Sequence, residues 1–298
     1  MFDKDMMARV ERGAGFLAAL DQSGGSTPGA LRLYGIPDDA YHGAEEMFAK
    51  MHEMRVRIIT AAPFDGNKVL GAILFERTMD GTAKGAPVPS FLWREKNVVP
   101  FLKVDEGLEA ENDGVRLMKA MPKLDPLLGR AVRLGIFGTK MRSVIAKPSK
   151  SGIAAIVEQQ FAYAARILAY GLMPIVEPEI SIDSPDKARS EAILLDDLKR
   201  ALDALPGDHR VMLKLTLPET PDFYAPLVDH PKVARVVALS GGYTRHDACA
   251  RLSANHGVIA SFSRALTEDL RVSMDDAAFE ATLGETIDEI FKASTVKT

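Results

Sequence analysis

The sequence predicts a closed (β/α)8 TIM barrel, an α/β fold built as a single domain over residues 1–298. Three observations point to it. About eight short runs of β-branched and apolar residues are spread along the chain. Most are followed by polar loop residues and then by a segment with helical periodicity. No Ser/Gly/Pro stretch is long enough to separate two cores, so the strand–helix alternation runs uninterrupted. An open doubly wound sheet shares this alternation and stays as the alternative, because counting strands does not establish closure.

The predicted strands, in order, are 16–21 (FLAALD), 56–62 (VRIITAA), 98–104 (VVPFLKV), 135–145 (GIFGTKMRSVI), 172–180 (LMPIVEPEI), 211–217 (VMLKLTL), 233–240 (VARVVALS) and 258–262 (VIASF). Several are almost continuously apolar, as parallel strands covered on both faces must be. Between the fourth and fifth, residues 151–170 place Ile153, Ile156, Val157, Phe161, Ala164, Ile167 and Leu168 at spacings of three and four, the stripe of an amphipathic helix. Ser151 is placed to cap its first turn and Gly171 to end it in a left-handed conformation. The following helix has Ser184 as N-cap and Pro185 at its first position. Ile193, Leu194, Leu198, Ala201 and Leu202 share one face, and Pro206-Gly207 is the stop.

Composition removes several function classes. With 47% apolar and 26% charged residues the chain can bury a large core, so fibrous and disordered classes are out. A net charge of -4 gives no global field for a nucleic-acid backbone. Charged residues interrupt every hydrophobic run before it reaches the length of a membrane helix. Neither nucleic acid nor membrane is expected as a partner. The single cysteine, Cys249, has no internal disulfide partner, and the start MFDKDMMARVERG is charged where a signal peptide is apolar, so a cytoplasmic location is expected.

The informative feature is a misfit. Lys103, Lys140, Arg142, Glu177, Glu179 and Lys214 fall in or at the ends of apolar strands. A lone buried charge is costly enough to neutralise or find a partner. A rim position or a buried ion pair between neighbouring strands would accommodate any one of them. The whole set points to catalysis at the C-terminal mouth, because period-2 alternation lets several of them share it. Lys214, between Leu213 and Leu215, is the sharpest case. Apolar flanks together with cations from Lys103, Lys140 or Arg142 predict a lowered pKa, and a neutral amine attacks a ketone to form an imine. Glu177 on its apolar strand is expected to have a raised pKa and to serve as acid and base.

Ser240, Gly241 and Gly242 follow the seventh strand and Arg264 follows the eighth, where barrels commonly hold phosphate. A plain turn is the competing reading for the two glycines. A loose dinucleotide pattern at 13–18 precedes a strand where it should follow one, so no nicotinamide cofactor is expected. The 6 histidines include no H-x-x-x-H pair, so no zinc site is expected from them.

Read in order, these segments resemble a class I fructose-1,6-bisphosphate aldolase of the shorter bacterial form. The resemblance is carried by LAALDQSGGSTP ending at 28, GAILFERTMD at 71–80, PFLKVDEGL at 100–108, KMRSVI at 140–145, PIVEPEI at 174–180, MLKLTLP at 212–218, LSGG at 239–242 and SFSRAL at 261–266. It implies that Lys214 forms a Schiff base with dihydroxyacetone phosphate and that Glu177, with Glu179 beside it, handles protons. It further implies that Asp21 assists carbon–carbon cleavage and that Lys140 and Arg142 lie near the reacting carbons. Ser240, Gly241 and Arg264 match the groups around the dihydroxyacetone phosphate end. Ser23, Ser26 and Lys103 match those near the other phosphate. No metal and no organic cofactor is implied. The longer animal enzymes read A-D-E-S-T-G-S at the first strand, where this chain has Leu20 to Ser26. They also end in a tyrosine tail, where this chain reads Lys297-Thr298, so a different group is expected to protonate the enamine carbon.

The expected reaction is reversible cleavage of fructose 1,6-bisphosphate. Two alternatives stay open: a Schiff-base enzyme acting on another phosphosugar, such as a seven-carbon bisphosphate or a transaldolase-type donor, and a scaffold that keeps the fold without turnover.

Overall fold

In the computed structural model, which describes residues 3–23, 25 and 27–298, eight parallel strands close on themselves. They are β1 (Phe16–Leu20), β2 (Val69–Leu74), β3 (Val99–Lys103), β4 (Gly138–Ile145), β5 (Met173–Ile180), β6 (Val211–Thr216), β7 (Val233–Leu239) and β8 (Val258–Phe262). Each pairs with its successor, and β8 returns to β1 through Leu17 beside Ser261 and Ala18 beside Phe262. The closed barrel is the fold, and the open-sheet alternative is set aside.

Seven strands lie where the apolar runs predict them. The second does not. Residues 56–60 of VRIITAA form the end of the helix Gly43–Thr60, and the strand is the later NKVLGAIL segment. Met47, Met51, Met54, Ile58 and Ile59 are buried at three- and four-residue intervals, so a helical face claims the β-branched pair despite its strand propensity. The true strand is disguised by Gly71. A Cβ there would stand 2.9 Å from the Val99 carbonyl oxygen and 3.0 Å from the Leu17 side chain, so small size is what the barrel wall needs at that point.

Two cap assignments also shift. The helix Lys150–Ala169 is capped by Ser149, whose Oγ accepts from Gly152 N at 3.1 Å. Ser151 instead donates to Asp113 Oδ2 at 2.6 Å. The helix Lys187–Asp203 is capped by Asp186, which accepts from Arg189 N at 3.1 Å, and Ser184 lies in the preceding turn. Gly171 does take the left-handed conformation, with φ 72°.

Alternation divides the strands into two layers. Phe16, Ala18 and Leu20 belong to the large cluster shared with the surrounding helices. Leu17, Ala19, Val99, Phe101, Met173, Ile175, Met212, Val237 and Ile259 fill the barrel interior, closed below by Met6 and Val10 of the helix Lys4–Arg12. Counting two residues onward from this interior layer reaches Asp21, Lys103, Glu177, Lys214 and Ser261, so the pleat that builds the core also aims these groups into the upper mouth. Among the described residues no helix is long and apolar enough to cross a membrane.

Candidate active site

The mouth is a cleft of about 440 Å³. It gathers Asp21, Ser23, Lys103, Lys140, Arg142, Glu177, Glu179, Lys214, Ser240, Gly241 and Arg264. Gly242 lies just behind, and a Cβ on it would come within 3.6 Å of Arg264 Nη2. Ser26 lies outside the described residues. Gly241 has φ 63° and Gly242 φ 118°, and a Cβ at Gly241 would stand 2.8 Å from Ile182 Cγ2. The SGG segment is therefore a turn that only glycine fits, and it places Ser240 and Gly241 on the cleft wall.

At the bottom of the cleft, opposite charges alternate. Lys140 Nζ stands 2.6 Å from Asp21 Oδ2 and 3.0 Å from Glu177 Oε2, and Lys214 Nζ stands 3.1 Å from Glu177 Oε1. These groups are almost wholly buried, with Lys140 and Glu177 each 3% and Lys214 4% exposed, so water screens the chain Asp21–Lys140–Glu177–Lys214 poorly. The backbone beneath is fixed from outside the barrel. Gln160, on the helix Lys150–Ala169, accepts from Glu177 N at 2.9 Å. Thr216 Oγ1 bridges the N–H and carbonyl of Ile180 at 2.9 and 2.8 Å, holding β5 to β6.

The electrostatics follow from that order. Burial pushes the Glu177 carboxyl up, but Lys140 and then Lys214 outweigh it and hold the group below its ordinary range. The raised value expected from its apolar strand is thus wrong, because the strand's own composition does not reveal the two ammonium groups that neighbouring strands supply. Asp21 behaves alike: burial is overcome by Lys140 and Lys214, and the carboxyl titrates well below the usual range. Burial pulls Lys140 down, yet Asp21 and Glu177 hold it above the usual lysine range. Clamped between two carboxylates, Lys140 is locked as an ammonium and is a poor nucleophile. The cationic surroundings expected for Lys214 are not what touches it, since the Glu177 carboxylate lies between it and Lys140.

The upper cleft is pre-paired. Lys103 donates to both the side chain and, at 2.8 Å, the carbonyl of Asp105, and burial pulls it below the ordinary lysine range against the opposing effect of Asp105. Arg142 pairs with Glu179 through Nε, and its backbone N–H donates to Asp105 Oδ2 at 3.2 Å. Glu179 therefore sits with Arg142, away from the Glu177 chain. Sequence reading passed over Asp105, although it stands two residues beyond Lys103 and so on the same face of the chain. Gln22, Ser261 and Ser263 also line the cleft and were not singled out. Among the described residues no group of three or more His, Cys, Asp or Glu side chains stands where it could hold a metal ion.

The model of the family "Fructose-bisphosphate aldolase class-I" matches residues 7–221, most of the chain. The protein belongs to the class I fructose-bisphosphate aldolases. A class 1 fructose-bisphosphate aldolase from Synechocystis is 52% identical over 292 residues, covering 98% of this chain and 97% of that protein. One from Porphyromonas gingivalis is 51% identical, covering 98% and 99%. Among solved structures, fructose-bisphosphate aldolase from Plasmodium falciparum superposes with a TM-score of 0.76 at 21% identity, over 98% of this chain and 94% of that one, a likeness of fold.

For this aldolase the charge chain also sets a pH window of stability. Asp21 and Glu177 have depressed values when folded, so their contribution is complete above about pH 4 to 5, the unfolded carboxylate range, and is lost as pH falls through the folded values. Lys140 has a raised value, so its contribution is complete below about pH 10 and is lost only as pH rises through the still higher folded value. Lys140→Met removes the cation shared by both carboxylates. It is expected to cost about 3 to 5 kcal/mol and to move the acid-unfolding midpoint to higher pH, as read by circular dichroism across a pH series.

Proposed function

We propose that this aldolase reversibly cleaves fructose 1,6-bisphosphate to dihydroxyacetone phosphate and glyceraldehyde 3-phosphate through an imine on Lys214, with no metal and no organic cofactor, as a single-domain cytoplasmic enzyme. Family membership supports the overall reaction, and the Asp21–Lys140–Glu177–Lys214 chain supports the assignment of roles. Glu177, a carboxylate at rest, takes a proton from the Lys214 ammonium 3.1 Å away and frees the amine to attack the C2 ketone. After attack one proton passes from nitrogen to the alkoxide to give the carbinolamine, and the Glu177 carboxyl then gives its proton to that hydroxyl, which leaves as water and yields the iminium. Asp21 then draws the proton from the C4 hydroxyl, the C3–C4 electron pair passes into the iminium, and the aldehyde departs from an enamine. Lys140 stays charged throughout, keeping Asp21 ionised and aimed. The iminium is the electron sink that a Lewis-acidic metal would otherwise supply.

Assays of purified protein in excess chelator test the metal-free reading. Full cleavage of fructose 1,6-bisphosphate is the expected result, and loss of activity restored by zinc contradicts it.

Arg264, exposed at the rim beside Ser240 and Gly241, is assigned to the phosphate on C1, and Lys103, with Ser23 and Ser26, to the phosphate on C6. A charge-assisted contact is worth about 1.5 to 3 kcal/mol, so Arg264→Ala is expected to lower kcat/KM by roughly 10- to 150-fold. Fructose 1-phosphate should lose about as much as the bisphosphate. Lys103→Ala should instead hurt the bisphosphate more, since only that substrate has a group there to lose. Equal penalties on both substrates from both variants would contradict the allocation.

A further inference from the structure

Among the described residues the largest fully buried side chain is a cation, Arg55, and it does not line the cleft. It lies on the helix Gly43–Thr60, outside the barrel, and only 2% of it is exposed. Among the described residues no carboxylate pairs with it. Its guanidinium rests over the Phe75 ring at 5.8 Å, Nη1 donates to Thr78 Oγ1 at 2.9 Å, and Nη2 donates to the Gln22 carbonyl oxygen at 2.5 Å and to Gln22 Oε1 at 3.4 Å. Phe75 and Thr78 belong to GAILFERTMD, a segment to which the proposed mechanism gives no task.

A buried charge held only by neutral partners is expensive, and a core would be served as well by an apolar residue of the same size. What it holds is informative. Gln22 directly follows Asp21, and its side chain donates from Nε2 to Ser263 Oγ at 2.9 Å. Ser263 directly precedes Arg264. One guanidinium thus ties the loop leaving β1, which carries Asp21, to the loop leaving β8, which carries Arg264.

We propose that Arg55 is a positioning residue which, through Gln22, holds Asp21 in line with the substrate hydroxyl it must deprotonate. The idea rests on the role proposed for Asp21. Its field acts in the same sense: burial pulls Arg55 down to about 10, and the one opposing influence is the Asp21 carboxylate, so the two charges support each other. Imine formation at Lys214 lies on the other side of Lys140 and does not need Arg55.

The test uses the whole protein and the variants Arg55→Met, Arg55→Lys and Gln22→Ala. Each is assayed for thermal stability, for kcat and KM with fructose 1,6-bisphosphate, and for borohydride trapping with dihydroxyacetone phosphate. The expected result for Arg55→Met is trapping at Lys214 as in the parent, with KM little changed and kcat lowered roughly 10- to 100-fold, the scale of a misplaced catalytic group. Arg55→Lys keeps the charge without the forked reach to Gln22 and Thr78, so kcat should stay low. Gln22→Ala should lower kcat similarly, and it decides the matter if Arg55→Met does not fold. Folded variants with parental kcat, or a loss of trapping that accompanies the loss of kcat, would overturn the proposal. Should the parent itself trap on another lysine, the fault lies with the proposed mechanism, whatever Arg55 does.

Discussion

Lys214→Met is expected to remove essentially all turnover, a loss on the order of 10⁵-fold or more, as for other enzymes stripped of their covalent nucleophile. Methionine fills much of the lysine's volume without an amine, so no imine forms and the C3–C4 electron pair has no sink. The protein should still fold. Glu177 keeps Lys140 at 3.0 Å, so no carboxylate is left buried without a cation, and an apolar side chain between Leu213 and Leu215 suits that strand. Single-turnover assays with purified protein, alongside a thermal melt, check both halves. Residual activity within about 100-fold of the parent would mean that another amine carries the reaction.

Glu177→Gln has the second-largest expected effect. Glutamine keeps the shape, and its one amide oxygen can still accept from one of the two lysines, but it cannot carry the proton from Lys214 to the departing hydroxyl. General acid–base help is worth roughly 100- to 10,000-fold, and that factor should vanish from kcat while KM changes little. The depressed value of Glu177 adds a sign. In the resting protein it is a carboxylate throughout the neutral range, so the parent's kcat/KM should hold at pH 6 to 8 and fall only on strong acidification as Glu177 protonates. A carboxyl raised into the neutral range, as its strand alone suggested, would instead put that fall near pH 6 to 7. Steady-state kinetics across pH for both proteins distinguish the two cases, and a variant with unchanged kcat would remove Glu177 from proton transfer.

That reversal shows what the sequence can and cannot reveal. Lys103, Lys140, Glu177 and Lys214 stood out because strands buried on both faces have no local use for charge, and a two-residue period sends such residues to one end of the barrel. Which of them would touch was not visible. Lys140 meets Asp21 and Glu177 across strand boundaries, and only the closed register places it between them. Asp105 and Gln22 escaped notice because a polar residue just past a strand looks like an ordinary loop. Arg55 escaped because it lies on a helix that VRIITAA disguises as a strand. Its buried Ile58 and Ile59 satisfy either period over so short a span, and the alternation of strand with helix survives the error because NKVLGAIL supplies the missing strand a few residues later.

Lys214, and no other buried lysine, is expected to make the covalent bond. Lys140 is held as an ammonium by Asp21 and Glu177, whereas Lys103 is pulled down by burial and is the serious competitor. Borohydride reduction in the presence of dihydroxyacetone phosphate, followed by peptide mass mapping, decides between them. Irreversible inactivation is expected, with one adduct on the peptide containing VMLKLTL, at Lys214; an adduct on Lys103 or Lys140 would remove Lys214 from the covalent step.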